Sequence, residues 1–314
     1  MALAGASAGL LPAGTEPTPG SAHFTADPAT LYQSATAKPA PAGADVVVLE
    51  DQDSYVFDAQ GRKVHTQYVV FRVLTQQGAE DWANYSAPWE PWHEERPVLR
   101  ARVITPDRAA HELDPKTIAD APAKQENDDT YSDRRVVRAP LPAMAPGSVV
   151  EEESVTKDSA PFFGAGMVEH SFFGRGVPVE HTRLLLDAPA SLPLHYTLEL
   201  LPEVKPQRSE GNGRVQIVFE HGSMPAQEDA EPYLPSDQPA YPHVTFSTGS
   251  SWQQVAEEYG KIVDGRLAAA EVKPLAGKLV AGKRTRQEKA EALLQYVDKE
   301  VRYTGVEFGD AAIV

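Results

Sequence analysis

The sequence predicts a mainly β chain: an antiparallel β-sandwich followed by a small α-helical segment. Three observations point there. Short runs of β-branched and aromatic residues recur from Val46 to about Glu220, the composition of strands on a half-buried pleated surface. Turn-forming stretches such as Leu141–Gly147 and Glu210–Gly213 separate them, drawn from 27 prolines and 22 glycines. After about Thr245 the apolar spacing becomes helical. No alternation of strand and helix appears, so a parallel nucleotide-binding sheet is not expected.

Composition bounds the function before any motif does. The 314 residues allow about two domains, and 41% hydrophobic against 24% charged residues suits a packed core. A net charge of -16 repels phosphate backbones and anionic membranes, so nucleic acid is not an expected partner. Without cysteine, these residues hold no disulfide, thiolate metal site or thiol nucleophile. No apolar run is long enough to span a bilayer. The first residues, MALAGASAGLLPAGT, are apolar but lack the positive start of a complete secretory signal. Residues 1–42 read as a disordered or processed leader, and no internal repeat follows.

The strands then follow in order. Val46–Leu49 and Tyr55–Phe57 are short apolar runs, and Asp58–Gly61 has turn chemistry. Lys63–Leu74 alternates β-branched and aromatic residues on both faces. Further strands are expected at 98–104, 134–139, 148–156, 179–186, 194–201 and 214–220. Residues 43–245 thus form a β module, and 246–314 a helical segment. Ser250 or Ser251 caps its first helix, with Trp252, Val255, Tyr259 and Ile262 on one face and Gly265 at its end. Pro274 opens a short helix. Thr285–Glu288 is a capping box, followed by the stripe Ala290, Leu293, Leu294, Val297 and Val301. Burying each large residue of that stripe is worth roughly 1.5–3 kcal/mol, so the stripe expects a partner surface.

Few motifs carry chemistry. Gly5–Gly9 fits G-x-S-x-G but lies in an Ala/Gly leader, without the strand and helix that a nucleophile elbow needs. Gly164-Ala165-Gly166 and Gly174-Arg175-Gly176 lack the third glycine of a dinucleotide fingerprint and read as flexible loops. The nine histidines make no metal-binding spacing, and His93-Glu94-Glu95 lacks a second histidine. Glu126–Asp133 is acidic but lacks the glycine and final glutamate of a calcium loop, so a solvated loop is the plainer reading. Glu151-Glu152-Glu153 lies on a strand, where neighbours face opposite ways and do not build a carboxylate pair. No catalytic, cofactor or metal residue is assigned. One stretch stands out: Trp82, Tyr85, Trp89 and Trp92, which Pro88 and Pro91 keep from being a helix. On a sheet surface these rings form a ligand-stacking platform for sugars, with Glu90 and His93 as polar contacts. The plainer alternative is that they cover one end of the core.

Residues Glu288–Gly309, with Val301-Arg302-Tyr303, Gly305, Glu307 and Gly309 as the most similar positions, resemble the entry helix and first extended turn of a bacterial transglutaminase-like domain. Ser247-Thr248 and Trp252 resemble the usual approach to it. The β region resembles the module that commonly precedes it, the domain of unknown function 3857. The matching phrases are Gly61-Arg62, Arg72–Thr75, Arg102–Asp107, Tyr131–Asp133 and Leu141-Pro142 through Gly147–Glu151. The resemblance covers roughly Ala44 to Val314. It implies a bacterial protein of the periplasm or cell exterior and a papain-like α+β second domain with Cys-His-Asp chemistry, transamidation or peptide hydrolysis. Nothing here matches the Gly-Asp-Cys-Lys type motif expected soon after Val314. A truncated front of that domain and a non-catalytic β module are therefore expected, with a cell-envelope protein, peptide or glycan as partner.

Overall fold

The computed structural model describes residues 23–124, 130–235, 237–270, 272–302 and 304–313. The Gly5–Gly9 match and residues 126–129 of the acidic stretch lie outside them. The chain is mainly β, with large multi-stranded sheets and a few C-terminal helices.

One eight-stranded sheet dominates. Its centre is β1 (Val46–Phe57), β2 (Lys63–Val73) and β9 (Val149–Lys157), extended on one side by β4 (Val98–Ile104) and β5 (Ala110–Glu112). On the other side lie β11 (Thr182–Pro189), β14 (Arg214–His221) and β13 (Gln207–Gly211). Two three-stranded sheets cover one face of it. The first is β3 (Asn84–Trp89), β8 (Arg135–Pro140) and β6 (Ala119–Pro122). The second is β10 (Val168–Phe172), β15 (His243–Ser247) and β12 (His195–Glu199). Each cover sheet closes its own core. Val69, Phe71, Val103 and Val150 meet Tyr85, Ala87 and Val137 under the first. Tyr55, Phe57, Leu186 and Phe219 meet Val244 and Phe246 under the second.

The sequence reads 46–49 and 55–57 as separate runs, but they are one 12-residue strand, bulged between Val48 and Glu50. The polar stretch Glu50–Ser54 hides its continuity. Pairing is antiparallel throughout the large sheet except between β1 and β11, which run parallel with Asp51 opposite Thr182. The expected turn at Asp58–Gly61 forms, with Asp58 Oδ1 accepting from Gln60 N at 2.9 Å and Gly61 at φ +80°. Two short elements escape the sequence pattern. The helix α1 (Pro28–Thr36) lies inside the expected leader, and α2 (Gln76–Asp81) follows β2. Residues 23–36 are therefore not disordered as part of a leader: Phe24 and Ala35 are buried, and Leu31 and Tyr32 pack over Val70, Ile104 and Val149. Helix α2 approaches so closely that a Cβ on Gly78 would meet Asp45 O at 2.4 Å.

The helical segment comprises α3 (Trp252–Ala269), α4 (Val272–Leu279) and α5 (Arg286–Glu300). Ser251 caps α3 through Gln254 N, and the capping box at Thr285 and Glu288 forms. Helix α3 runs past Gly265, and α4 starts before Pro274, which sits in its first turn where no N–H is needed. Leu294 and Val297 of the apolar stripe are exposed. Beyond α5, β16 (Gly305–Glu307) pairs in parallel with β7 (Thr130–Ser132) of the β region.

Candidate functional site

The two cover sheets leave a seam between their cores, and the strand registers explain its polarity. Val69 of β2 lies between Asp51 of β1 and Glu152 of β9, Gln67 between Asp53 and Ser154, and His65 between Tyr55 and Thr156. Residues directly opposite across a ladder share a face. The same face that carries two apolar patches therefore carries Asp51, Asp53, His65, Lys63, Glu152 and Asp158 between them.

The seam opens as a cleft of about 720 Å³. That size suits a small ligand or a peptide side chain. Lys63 lies at its floor, Trp89, Glu90, His93 and Glu94 on one wall, Phe162 and Met167–Glu169 on the other, and Ser132, Arg134 and Glu307 at the rim. A smaller hollow of about 360 Å³ near Phe163–Met167 and Ser250 is lined without titratable side chains, so the chemistry belongs to the larger one. Gly166 permits that neighbouring turn. At φ +101° it lies against Gly249 N, which a Cβ would meet at 2.6 Å. A close backbone approach, not loop flexibility, explains this glycine.

The cleft floor is a closed set of charges. Lys63 Nζ lies 3.3 Å from Asp158, 3.5 Å from Glu94 and 3.9 Å from Glu169. Asp158 also accepts from the Lys63 backbone N–H at 2.9 Å. Burial opposes the ammonium, but these three carboxylates outweigh it and raise Lys63 above its ordinary range. His93 is buried, with Nε2 at 3.4 Å from Glu90 and Nδ1 at 3.7 Å from Asp158, the latter too long for a hydrogen bond. Burial again works against charge, yet Asp158 and Glu90 lift His93 to about 9. Glu90 is held down at about 2 by His93 first, and then by Arg134, whose Nε donates to it at 2.8 Å. Burial raises Glu169, with Lys63 opposing. Donor atoms of His93, Glu94 and Asp158 lie within 4.8 Å of one another, a spacing that suits a metal ion. Lys63 already places an ammonium beside two of the three, so the arrangement supplies its own cation.

Further along the seam, Arg175 grips Asp51 in a two-pronged pair at 2.7 and 2.8 Å. Burial pushes the neighbouring Glu152 to about 8, with Arg175 opposing and Asp51 adding to the rise. Ser171 and His65 both reach Asp53.

The aromatic stretch does not make one platform. Tyr85 is 5% exposed inside the first core, and Trp82 leans on Phe71 at 4.7 Å. Trp89 packs partly on that core and directs Nε1 toward Asp120 at 3.4 Å. Trp92 donates to Glu90 at 3.0 Å and contacts His93 and Phe162. Only Trp89 lines the cleft, beside the expected polar contacts Glu90 and His93. Sequence reading missed Lys63, Asp158 and Glu169. Lys63 and Asp158 are 95 residues apart, and the one local signal was a polar start, Lys63, His65 and Gln67, to a strand face that continues as Val69, Phe71 and Val73.

The fold is thus a β-sandwich whose second layer is split in two over a charged seam. The chain belongs to the family of domain of unknown function 3857: the model described as "Domain of Unknown Function with solved-structure structure (DUF3857)" matches residues 59–228. A crystal structure described as a "putative protease" from Parabacteroides distasonis ATCC 8503 shares the fold, with a TM-score of 0.65 and 14% identity. The match covers 81% of this chain and 50% of that one, so this chain spans about half the length of that relative. An M1 zinc metallopeptidase from Deinococcus radiodurans aligns over 64% of this chain and 42% of its own, at 10% identity. Its TM-score is 0.34. No curated protein matches the chain.

Proposed function

We propose that this chain is a non-catalytic β module of a larger transglutaminase-like protein, in which cysteine-dependent transamidation or peptide hydrolysis is done by residues outside these 314. One observation carries the reading. The segment that resembles the transglutaminase-like entry returns to the β region, where β16 pairs with β7 and Gly309 N donates to Asp133 Oδ2 at 3.1 Å. Glu307 thereby joins the cleft that holds Lys63 and His93. A nucleophile following that segment would work beside a cleft whose charges are already fixed, and the β module would shape substrate approach rather than react.

The test is amide turnover. The 314-residue chain is expected to show none, whereas a form extended through the residues that follow is expected to be active and to lose activity on thiol alkylation. Turnover by the 314-residue chain itself sinks the proposal. The second reading is a cell-envelope module that binds a peptide or glycan, favoured by the open cleft with Trp89 and Phe162 on its walls. Both readings put the protein in the periplasm or outside the cell, an expectation that rests on the family resemblance. No helix among the described residues is long and apolar enough to cross a membrane.

A further inference from the structure

The outer face of the large sheet, opposite the seam, is chemically unlike a core face. Two ladder rows cross it. Val70 of β2, Glu151 of β9 and Arg102 of β4 form one, and Tyr68, Glu153 and Arg100 form the other. Glu151, Glu153 and Arg102 are each at most 5% exposed, and each bonds to the segment of residues 23–26 that lies across the sheet. Core faces are apolar because unpaired buried charge is costly. A face of alternating carboxylates and guanidinium groups is instead stable either bare in water or under a segment that satisfies it.

Residues 23–26 satisfy it group by group. The His23 ring stacks on Tyr68 at 3.7 Å, and its Nδ1 meets Glu153 at 2.5 Å. The Phe24 N–H donates to Glu151 Oε1 at 2.9 Å, and Glu151 also takes Tyr68 Oη–H and Arg102 Nε–H. The Phe24 ring lies under the Arg100 guanidinium at 4.0 Å, with Arg102 at 5.6 Å, a cation–π clamp. Arg102 then donates to Ala26 O at 2.8 Å. Phe24 sits at φ +60°, a left-handed conformation that a bulky residue avoids unless its surroundings hold it there. The sheet thus reads, in chain order, an imidazole, a backbone N–H, an aromatic ring and a backbone carbonyl.

We infer that this face is a peptide-recognition groove, occupied here by the chain's own residues 23–26, and that it accepts in trans a peptide presenting a hydrogen-bond donor followed by an aromatic side chain. The resident segment competes from a tether, and a short tether gives an effective concentration of about millimolar. An outside peptide therefore binds only when the resident is weakened or displaced.

The probe is a fluorescent peptide with the sequence of residues 22–37, followed by anisotropy against the full chain. The Phe24→Ala chain is expected to bind it at least ~10-fold more tightly than the unaltered chain, whose tethered segment competes. Binding is expected to weaken several-fold when Arg100, an exposed residue, is also changed to Met. A probe with alanine in place of its phenylalanine is expected to bind neither. Light scattering that shows two copies exchanging this segment would also support acceptance in trans. If both Phe24→Ala and a His23→Ala, Phe24→Ala double variant stay folded by circular dichroism yet bind no probe, the inference is overturned. Equal binding of the two probes overturns it as well.

Discussion

Glu152 offers the sharpest energetic prediction, because its surroundings oppose its charge. It shares a row with Asp51, and the Arg175 that would neutralise it is already committed to Asp51 in a two-pronged pair. Its carboxyl rises from an ordinary 4.5 to about 8, chiefly through burial. At pH 7 the unfolded carboxyl is ionised while the folded one keeps its proton. Each unit of difference is about 1.4 kcal/mol, giving an upper bound of about 3 kcal/mol lost to this one group. The side chain is partly exposed, so solvent screening brings the figure to about 1–2 kcal/mol. The sign follows from a folded pKa that is raised. Below 4.5 the proton is held in both states and costs nothing, and the penalty grows as pH rises toward 8. Glu152→Gln keeps the shape and removes the titration. Urea unfolding followed by tryptophan fluorescence should find the variant equal to the parent near pH 4 and about 1–2 kcal/mol more stable near pH 7. A variant less stable at pH 7 would mean that Glu152 is an ionised partner of Arg175, and the reasoning would fail.

His93 should act in a different pH window. Its folded pKa rises from 6.5 to about 9, so its charge stabilises the fold fully below 6.5, and that contribution fades as pH climbs through 9. The side chain is 4% exposed, but its contacts of 3.4 and 3.7 Å are long, so the gap between parent and His93→Gln should be about 1–3 kcal/mol at pH 6 and near zero above pH 9.5. A gap independent of pH in chemical denaturation would contradict the assigned charge. The helical segment makes a separate prediction. Helices α4 and α5 bury no residue, and Leu267 and Leu294 are more than 60% exposed. Limited proteolysis should therefore cut beyond Thr245 before it cuts the sandwich, and equal resistance of the two parts would argue against a loosely packed segment.

The sandwich was legible where periodicity is long. Lys63–Leu74 carries β-branched and aromatic residues over enough length to reveal a strand, and Thr285 with Glu288 announces a helix start. Legibility failed where polar function interrupts the pattern. Strand β1 reads as two pieces because Glu50–Ser54 carries Asp51 and Asp53, seam residues that hydrogen-bond to Arg175, His65 and Ser171. Strands β5, β6 and β7 have three or four residues, too few for any period to register. Helix α1 sits in Ala/Pro-rich sequence, although Asp27 before Pro28 is a readable start signal: the Asp27 side chain accepts from Thr30 N. The tryptophans were conspicuous in the sequence because large rings are rare, and three of the four aromatic residues pack toward a core. The charged cleft was nearly silent, because Lys63, His93 and Asp158 come together only through tertiary pairing.

The docking of β16 on β7 at the edge of the charged cleft is the link between the β module and the segment that resembles a transglutaminase-like entry. Hydrogen exchange of the full chain, read at residues 305–309 in the parent and in Asp133→Ala, tests it most directly. Our account predicts slowed exchange there in the parent and faster exchange in the variant, which loses the 3.1 Å bond from Gly309 N. Exchange at the rate of an unstructured peptide in the parent, unchanged by the substitution, would contradict it.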